Sequence, residues 1–210
     1  VREYNKRLVD LSRKAVGDKV LVAGDLTTTG KMMEPRGEMT YERLFEAYAE
    51  QIEALREAGV DLLVAETMLS VDETSVALDA AQSVCDLPVM CTLTFEADGS
   101  ALYGGNAVEA AETLQELGAA AVGVNCSVGP DQLEAVIASM KRVAQIPLIA
   151  KPNAGMPLIN EKGHAVYNMD APTFAGHMAV LVAAGADIIG GCCGTTPEFI
   201  SETARVLGLR

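Results

Sequence analysis

The chain has 210 residues, half of them apolar, enough to bury one sizeable core in a single domain. Its 16 basic and 29 acidic residues leave a net charge of −13, which argues against nucleic acid and anionic membrane as partners, since both need a basic footprint. No apolar run reaches the roughly 18 residues a membrane span needs, so neither a membrane span nor a signal peptide is expected. Five cysteines in no extracellular framework spacing fit a reducing, cytoplasmic setting and metal or catalytic use.

In chain order, residues 3–16 carry Leu8, Val9, Leu11, Ala15 and Val16 at helical spacing and stop at Gly17. An apolar strand at 19–26 leads into the polar loop Thr27-Thr-Thr-Gly30. A helix is expected over 40–58, ended by Gly59, then a strand at 61–68. Ser70 and Glu73 form a capping-box signature for a helix over 71–84. A strand at 88–95 precedes a helix that starts at Asn106 and closes at Gly118. A strand at 120–127, a helix over 130–143 and a strand at 146–153 follow. A longer loop, 154–169, separates them from a helix at 172–184, a strand at 186–193 and a last helix at 197–207.

Six near-continuously apolar strands separated by helices predict a parallel sheet buried on both faces. A doubly wound sheet and a (β/α)8 TIM-type barrel both fit. The absence of Gly-x-Gly-x-x-Gly after the first strand weakens dinucleotide binding. A repeat favours the barrel. Gly59–Thr67, Gly118–Cys126 and Gly185–Cys193 align without gaps, so Glu66, Asn125 and Cys192 share one register and Thr67, Cys126 and Cys193 the next. These are alternate strands, and alternate barrel strands fill the same interior layer, with the active site at the strands' carboxyl ends. Cys126 is therefore expected beside Cys192 and Cys193.

The stretch Gly190-Gly-Cys-Cys-Gly-Thr-Thr-Pro197 joins that last strand to its helix. Its glycines free the backbone from strand geometry, so that neighbouring cysteines can turn to one point. Thr196 suits the N-cap and Pro197 the first helical position, and a helix start favours the thiolate form. Three thiolates with one place left open is the ligand set of a catalytic zinc. Buried filler and a strained vicinal disulfide are the competing readings of the pair.

With these residues in view, the chain resembles the homocysteine S-methyltransferase family over nearly its whole length. The resemblance rests on Gly24-Asp25 with Thr29-Gly30, Glu66-Thr67, Gly123-Val-Asn-Cys-Ser127 with Gly129-Pro130, Pro152-Asn-Ala-Gly155 and the glycine-cysteine stretch. Within the family it is most similar to the homocysteine-binding first module of the cobalamin-dependent methionine synthase branch. The loop Thr27-Thr-Thr29 departs from that branch, where Gly-Pro usually precedes the threonine.

The resemblance implies a zinc-dependent methyl transfer to homocysteine thiolate. Cys126, Cys192 and Cys193 would hold one zinc, Glu66 the substrate's amino group, and Asp25, Asn125 and Asn153 would line the pocket. Methylcobalamin or methyltetrahydrofolate, brought by other modules, would supply the methyl group. The resemblance also implies a single barrel domain over 1–210 with six of its eight β/α units, the first two strands preceding Val1. The strands at 19–26 and 186–193 would then have open edges. Two readings stay open beside this one: a phosphate-ligand barrel lyase or isomerase using Gly190–Thr196 as an anion cradle, and an inactive fragment with a structural zinc. Cys85 and Cys91 read as core, and His164 and His177 lack the i, i+4 partner of a helical metal pair.

Overall fold

The computed structural model describes residues 1–209. Among them are seven α-helices: α1 (Arg2–Val16), α2 (Tyr41–Ala58), α3 (Val71–Val84), α4 (Ala107–Glu116), α5 (Glu134–Lys141), α6 (Ala171–Ala184) and α7 (Pro197–Val206). The strands are β1 (Ala23–Thr27), β2 (Leu62–Met68), β3 (Val89–Leu93), β4 (Ala121–Asn125), β5 (Leu148–Lys151), β6 (Pro157–Ile159), β7 (Ala165–Tyr167) and β8 (Ile188–Ile189). Six of these pair in parallel, in the order β1-β2-β3-β4-β5-β8, with β1 and β8 as the outer strands.

The elements form where local chemistry and burial agree. All five residues of β4 are buried, so an uninterrupted apolar run is stable there. In β1 burial alternates, with Gly24 and Leu26 buried and Ala23, Asp25 and Thr27 exposed on the other face. Side-chain caps start the helices: Thr40 accepts from the Arg43 N–H, Asn106 from those of Val108 and Glu109, and Asp170 from that of Thr173. Gly59 ends α2 in the left-handed conformation, φ 84°.

The repeat also has a structural side at the bottom of the sheet. Asp61 Oδ2 accepts from Val22 N at 2.6 Å and from the Arg13 guanidinium at 2.8 Å. Asp187 Oδ2 accepts from Leu148 N at 2.9 Å and from Lys141 Nζ at 3.2 Å. Each aspartate thus opens its strand, satisfies an N–H at the start of the neighbouring one, and anchors a helix by an ion pair.

The expected elements form, with four differences. The helix expected over 130–143 is split into a 3-10 turn at Pro130–Gln132, closed by the Leu133 N–H on the Pro130 carbonyl, and α5 over Glu134–Lys141. The first strand runs 23–27 rather than 19–26, because its ladder begins only where Leu62 faces Ala23. The last strand keeps two ladder residues, Ile188 and Ile189, although Gly190 N and Cys192 N still donate to the Ala150 and Pro152 carbonyls alongside. The stretch expected as a plain loop, 154–169, contains the antiparallel hairpin β6–β7. Three-residue strands are too short to show a periodicity in sequence.

The capping box at α3 is half formed. Ser70 Oγ accepts from Glu73 N at 3.2 Å, but the Glu73 carboxylate does not reach back. It is buried and instead accepts from Thr28 Oγ1, Thr29 N, Thr29 Oγ1 and Tyr48 OH at 2.7–3.0 Å. Glu73 therefore pins the loop after β1, a long-range role that its sequence neighbourhood does not reveal. Burial and this carboxylate push the Tyr48 phenol well above its ordinary range.

Candidate metal centre

The site lies at the carboxyl ends of β2, β4, β5 and β8, where the regular ladder breaks. Between the pairs Ala65↔Cys91 and Met68↔Leu93, β2 carries one more residue than β3. That bulge leaves Thr67 at φ 57°, and bulges commonly re-aim side chains beside functional sites. One strand-pair further on, Cys126 and Ser127 hold φ 61° and 60°. Non-glycine residues seldom adopt the left-handed region, so two in succession are a costly turn held by its surroundings. The Cys126 N–H stays fixed to the Lys151 carbonyl at 3.1 Å while the turn redirects the side chain.

The glycine-cysteine turn meets it from β8. Gly194 sits at φ 80° with the Tyr167 ring of the hairpin against it. Thr195 donates through both N–H and Oγ1 to the Cys192 carbonyl, and the Cys193 carbonyl accepts from Ala154 N. Thr196 is the N-cap residue of α7 without a side-chain cap bond, and Pro197 takes the first turn.

These turns bring the three expected cysteines together. Cys126 Sγ lies 3.8 Å from Cys193 Sγ, which lies 4.0 Å from Cys192 Sγ, and all three sulfurs fall within 4.8 Å of one another. The cysteines are free thiols, so no vicinal disulfide is present. Hydrogen bonds from Cys126 and Asn125 pull the Cys192 thiol down to about 5, against its own burial, while Cys126 is pushed strongly up as the partner that keeps the proton. Cys91 is buried in β3 and pushed up to about 12 by that burial, whereas Cys85 ends α3 with its thiol on the Ala81 carbonyl. Neither belongs to the cluster.

Asn125 is fully buried and links the three repeat units. Its Oδ1 accepts from Thr67 N at 2.9 Å, and its Nδ2 donates to Thr67 Oγ1 at 2.7 Å and to Cys192 Sγ at 3.7 Å. Its amide is thus spent on holding the thiol turn. Asn153 is buried too, with Nδ2 donating to the Ser127 carbonyl and Oδ1 left without a partner among the described residues. Glu66 is ion-paired to Lys151, a residue the sequence reading missed. The alternate-strand repeat does not reach it, because Lys151 lies on β5, the strand next to β4, where it faces Asn125 in the ladder. Asp25 is exposed as a residue on the outer strand, yet protein crowding of its carboxyl and the Glu66 charge raise it to about 6 against the pull of Lys151.

A groove of about 530 Å³ lies elsewhere, between the loop around Met33 and α3. Its Asp72 and Asp79 are already engaged by Arg36 and Tyr41, and it brings together no donor set like that of the thiols.

The sequence profile described as Homocysteine S-methyltransferase matches residues 1–207. This chain belongs to the homocysteine S-methyltransferase family. The methionine synthases of Mycobacterium leprae and Mycobacterium tuberculosis are each 29% identical to this family member over 219 residues, covering 96% of it. The chain spans only 18% of the length of those relatives. In fold, this member of the family resembles the Escherichia coli homocysteine methyltransferase MmuM. The apo form superposes with a TM-score of 0.79 at 23% identity, over 98% of this chain and 74% of that one. The metallated form gives 0.78 at 23% identity, over 97% and 70%. The likeness identifies the fold as of TIM-barrel type, with six parallel strands among the described residues.

Proposed function

We propose that this chain binds one zinc ion through Cys126, Cys192 and Cys193 and presents homocysteine thiolate for methylation to methionine. The spacing of the three sulfurs carries the reading. Ligands about 2.3 Å from a tetrahedral zinc stand about 3.8 Å from one another. The separations of 3.8 and 4.0 Å are close to that geometry, and the third pair of sulfurs lies within 4.8 Å. When bound, zinc supplies the acidity that keeps an incoming thiol ionised near neutral pH.

The protein's own residues do the rest. Asn125 fixes Cys192 by a hydrogen bond to its sulfur, and the turns at Cys126 and Gly194 aim the remaining two. Asn153 offers a buried, unpartnered Oδ1 beside this turn as an oxygen donor when no substrate sulfur is present. Glu66 and Asp25 provide negative charge for the substrate's ammonium group. The phosphate-cradle reading is less well supported, because the N–H groups of Cys192 and Thr195 are already bonded within the protein. The proposal extends to residues 1–210 as part of one barrel domain, with cobalamin or folate modules bringing the methyl group.

The test is zinc content and sulfur count. One zinc per chain is expected, lost on Cys126→Ala, Cys192→Ala or Cys193→Ala and kept on Cys85→Ala and Cys91→Ala. X-ray absorption should count three sulfurs without L-homocysteine and four with it. A count that stays at three under saturating homocysteine refutes direct thiolate binding.

A further inference from the structure

The Glu66–Lys151 pair is unusual in where it runs. Glu66 belongs to β2 and Lys151 to β5, and two strands, β3 and β4, lie between them in the sheet. The ion pair therefore crosses the inner face at the carboxyl ends of the strands, and does not join neighbours along the sheet. About a quarter of each side chain is exposed, 25% for Lys151 and 24% for Glu66, so the pair is half-shielded inside the mouth. Room for the lysine is built in. A Cβ at Gly190 would stand 3.2 Å from Lys151 Cγ, so the glycine next to the thiol turn leaves space for the lysine stem.

The surrounding charges are lopsided. Asp25 and Glu66 are two carboxylates near one ammonium, which leaves these three groups with a net charge of −1. That favours a cation, but the cation's best partner, Glu66, is already held by Lys151. A simple amine would have to displace the lysine from Glu66 and leave it only Asp25, with which it forms no ion pair among the described residues. An α-amino acid solves this differently, because its ammonium and carboxylate sit on one carbon and arrive together. Its ammonium can take Glu66 and Asp25 while its carboxylate takes Lys151. One ion pair is then replaced by two, and the net charge of −1 is unchanged because the zwitterion brings none, its ammonium being shared between the two carboxylates.

We propose that Lys151 is a specificity-determining residue: it neutralises Glu66 until an α-amino acid inserts between them, and it then binds that molecule's carboxylate. This rests on the reading of the site as a homocysteine centre and adds to it the group that selects the zwitterion. Its place also suits the sulfur chemistry. Lys151 pairs in the ladder with Asn125, whose amide touches Cys192, so an amino acid held here has the thiols one strand away. Because the lysine reaches the amino-acid end of the substrate, its loss should leave the metal untouched.

Calorimetric titration of the zinc-loaded, full-length protein tests this with three thiols. L-Homocysteine carries both charges, 3-mercaptopropylamine lacks the carboxylate, and 4-mercaptobutyrate lacks the ammonium. The unaltered protein should prefer homocysteine to 3-mercaptopropylamine by more than about tenfold, the scale of one charge-assisted hydrogen bond. Lys151→Met should weaken homocysteine on the order of tenfold to a hundredfold, with the four-sulfur absorption signature intact at saturation. The same variant should bind 3-mercaptopropylamine as well as or better than before, and Lys151→Arg should recover most of the homocysteine affinity. Equal affinity of the unaltered protein for homocysteine and 3-mercaptopropylamine overturns the proposal without any variant. Equal losses for both thiols in Lys151→Met overturn it as well. A sulfur count stuck at three would instead defeat the underlying reading, so the two failures are distinguishable.

Discussion

Replacing Glu73 separates its charge from its hydrogen bonds. Its Oε1 accepts three hydrogen bonds, from Thr29 N, Thr29 Oγ1 and Tyr48 OH, while Oε2 accepts one, from Thr28 Oγ1. In Glu73→Gln the amide oxygen can keep the three-donor position and the nitrogen can face Thr28. That hydroxyl can rotate to accept, since it already accepts from Gly30 N at 3.0 Å. The glutamine should therefore cost about 0.5–1.5 kcal/mol, the difference between charged and neutral acceptors. Glu73→Ala loses all four bonds and leaves a void in a site only 1% exposed. Tyr48 OH keeps the Thr27 carbonyl at 3.1 Å, and water can reach Thr28 and Thr29, so the four losses do not simply add. About 3–5 kcal/mol is expected for alanine. Urea unfolding gives both values, and hydrogen exchange at Thr29 N should quicken in the alanine variant alone. If alanine costs under about 1 kcal/mol, or glutamine costs as much as alanine, the carboxylate is not what holds the loop.

Two further outcomes follow from the fold. The carboxyls of Asp61 and Asp187 are held below the ordinary value of 3.8, chiefly by the N–H groups of Val22 and Leu148 and then by Arg13 and Lys141. A lowered folded pKa means stability that is full above the ordinary value and lost as pH falls through the folded one. The urea midpoint should thus drop below about pH 4, and Asp61→Asn with Asp187→Asn should flatten that slope; an unchanged slope would show that other carboxylates set it. Gly194→Ala places a Cβ 2.3 Å from the Tyr167 ring at φ 80°, whereas Gly163→Ala at φ 77° meets nothing within 4 Å. Gly163→Ala should cost about 1–2 kcal/mol from backbone strain alone, and Gly194→Ala should cost more and also lower zinc affinity; equal costs with unchanged zinc binding would mean that the ring contact is not restrictive.

Much of this site was legible in one dimension. The three-fold alignment of Gly59–Thr67, Gly118–Cys126 and Gly185–Cys193 predicted that Cys126 would join the pair, and its sulfur stands 3.8 Å from that of Cys193. It worked because alternation within strands is a fixed geometric period, so residues in one register of alternate parallel strands fall in one layer. Chain-local signals likewise placed helix starts, since Asn106 and Ser70 act on N–H groups two or three residues away.

What tertiary structure decided were the contacts made across the sheet and between loops. Glu73 looks like half of a capping box in sequence, yet folding commits it to Thr28, Thr29 and Tyr48, residues 25 to 45 positions away. Lys151 carries no local mark of its role, because its partner Glu66 lies 85 residues upstream. The hairpin that sets Tyr167 against Gly194 has strands too short to show a pattern. Periodicity and capping are properties of neighbouring residues, so the sequence by itself determined the barrel-type order of elements and the register of the three thiols. The direction of a long polar side chain at a strand end depends on which opposite charge the closed fold brings within reach, and only the tertiary structure supplies that.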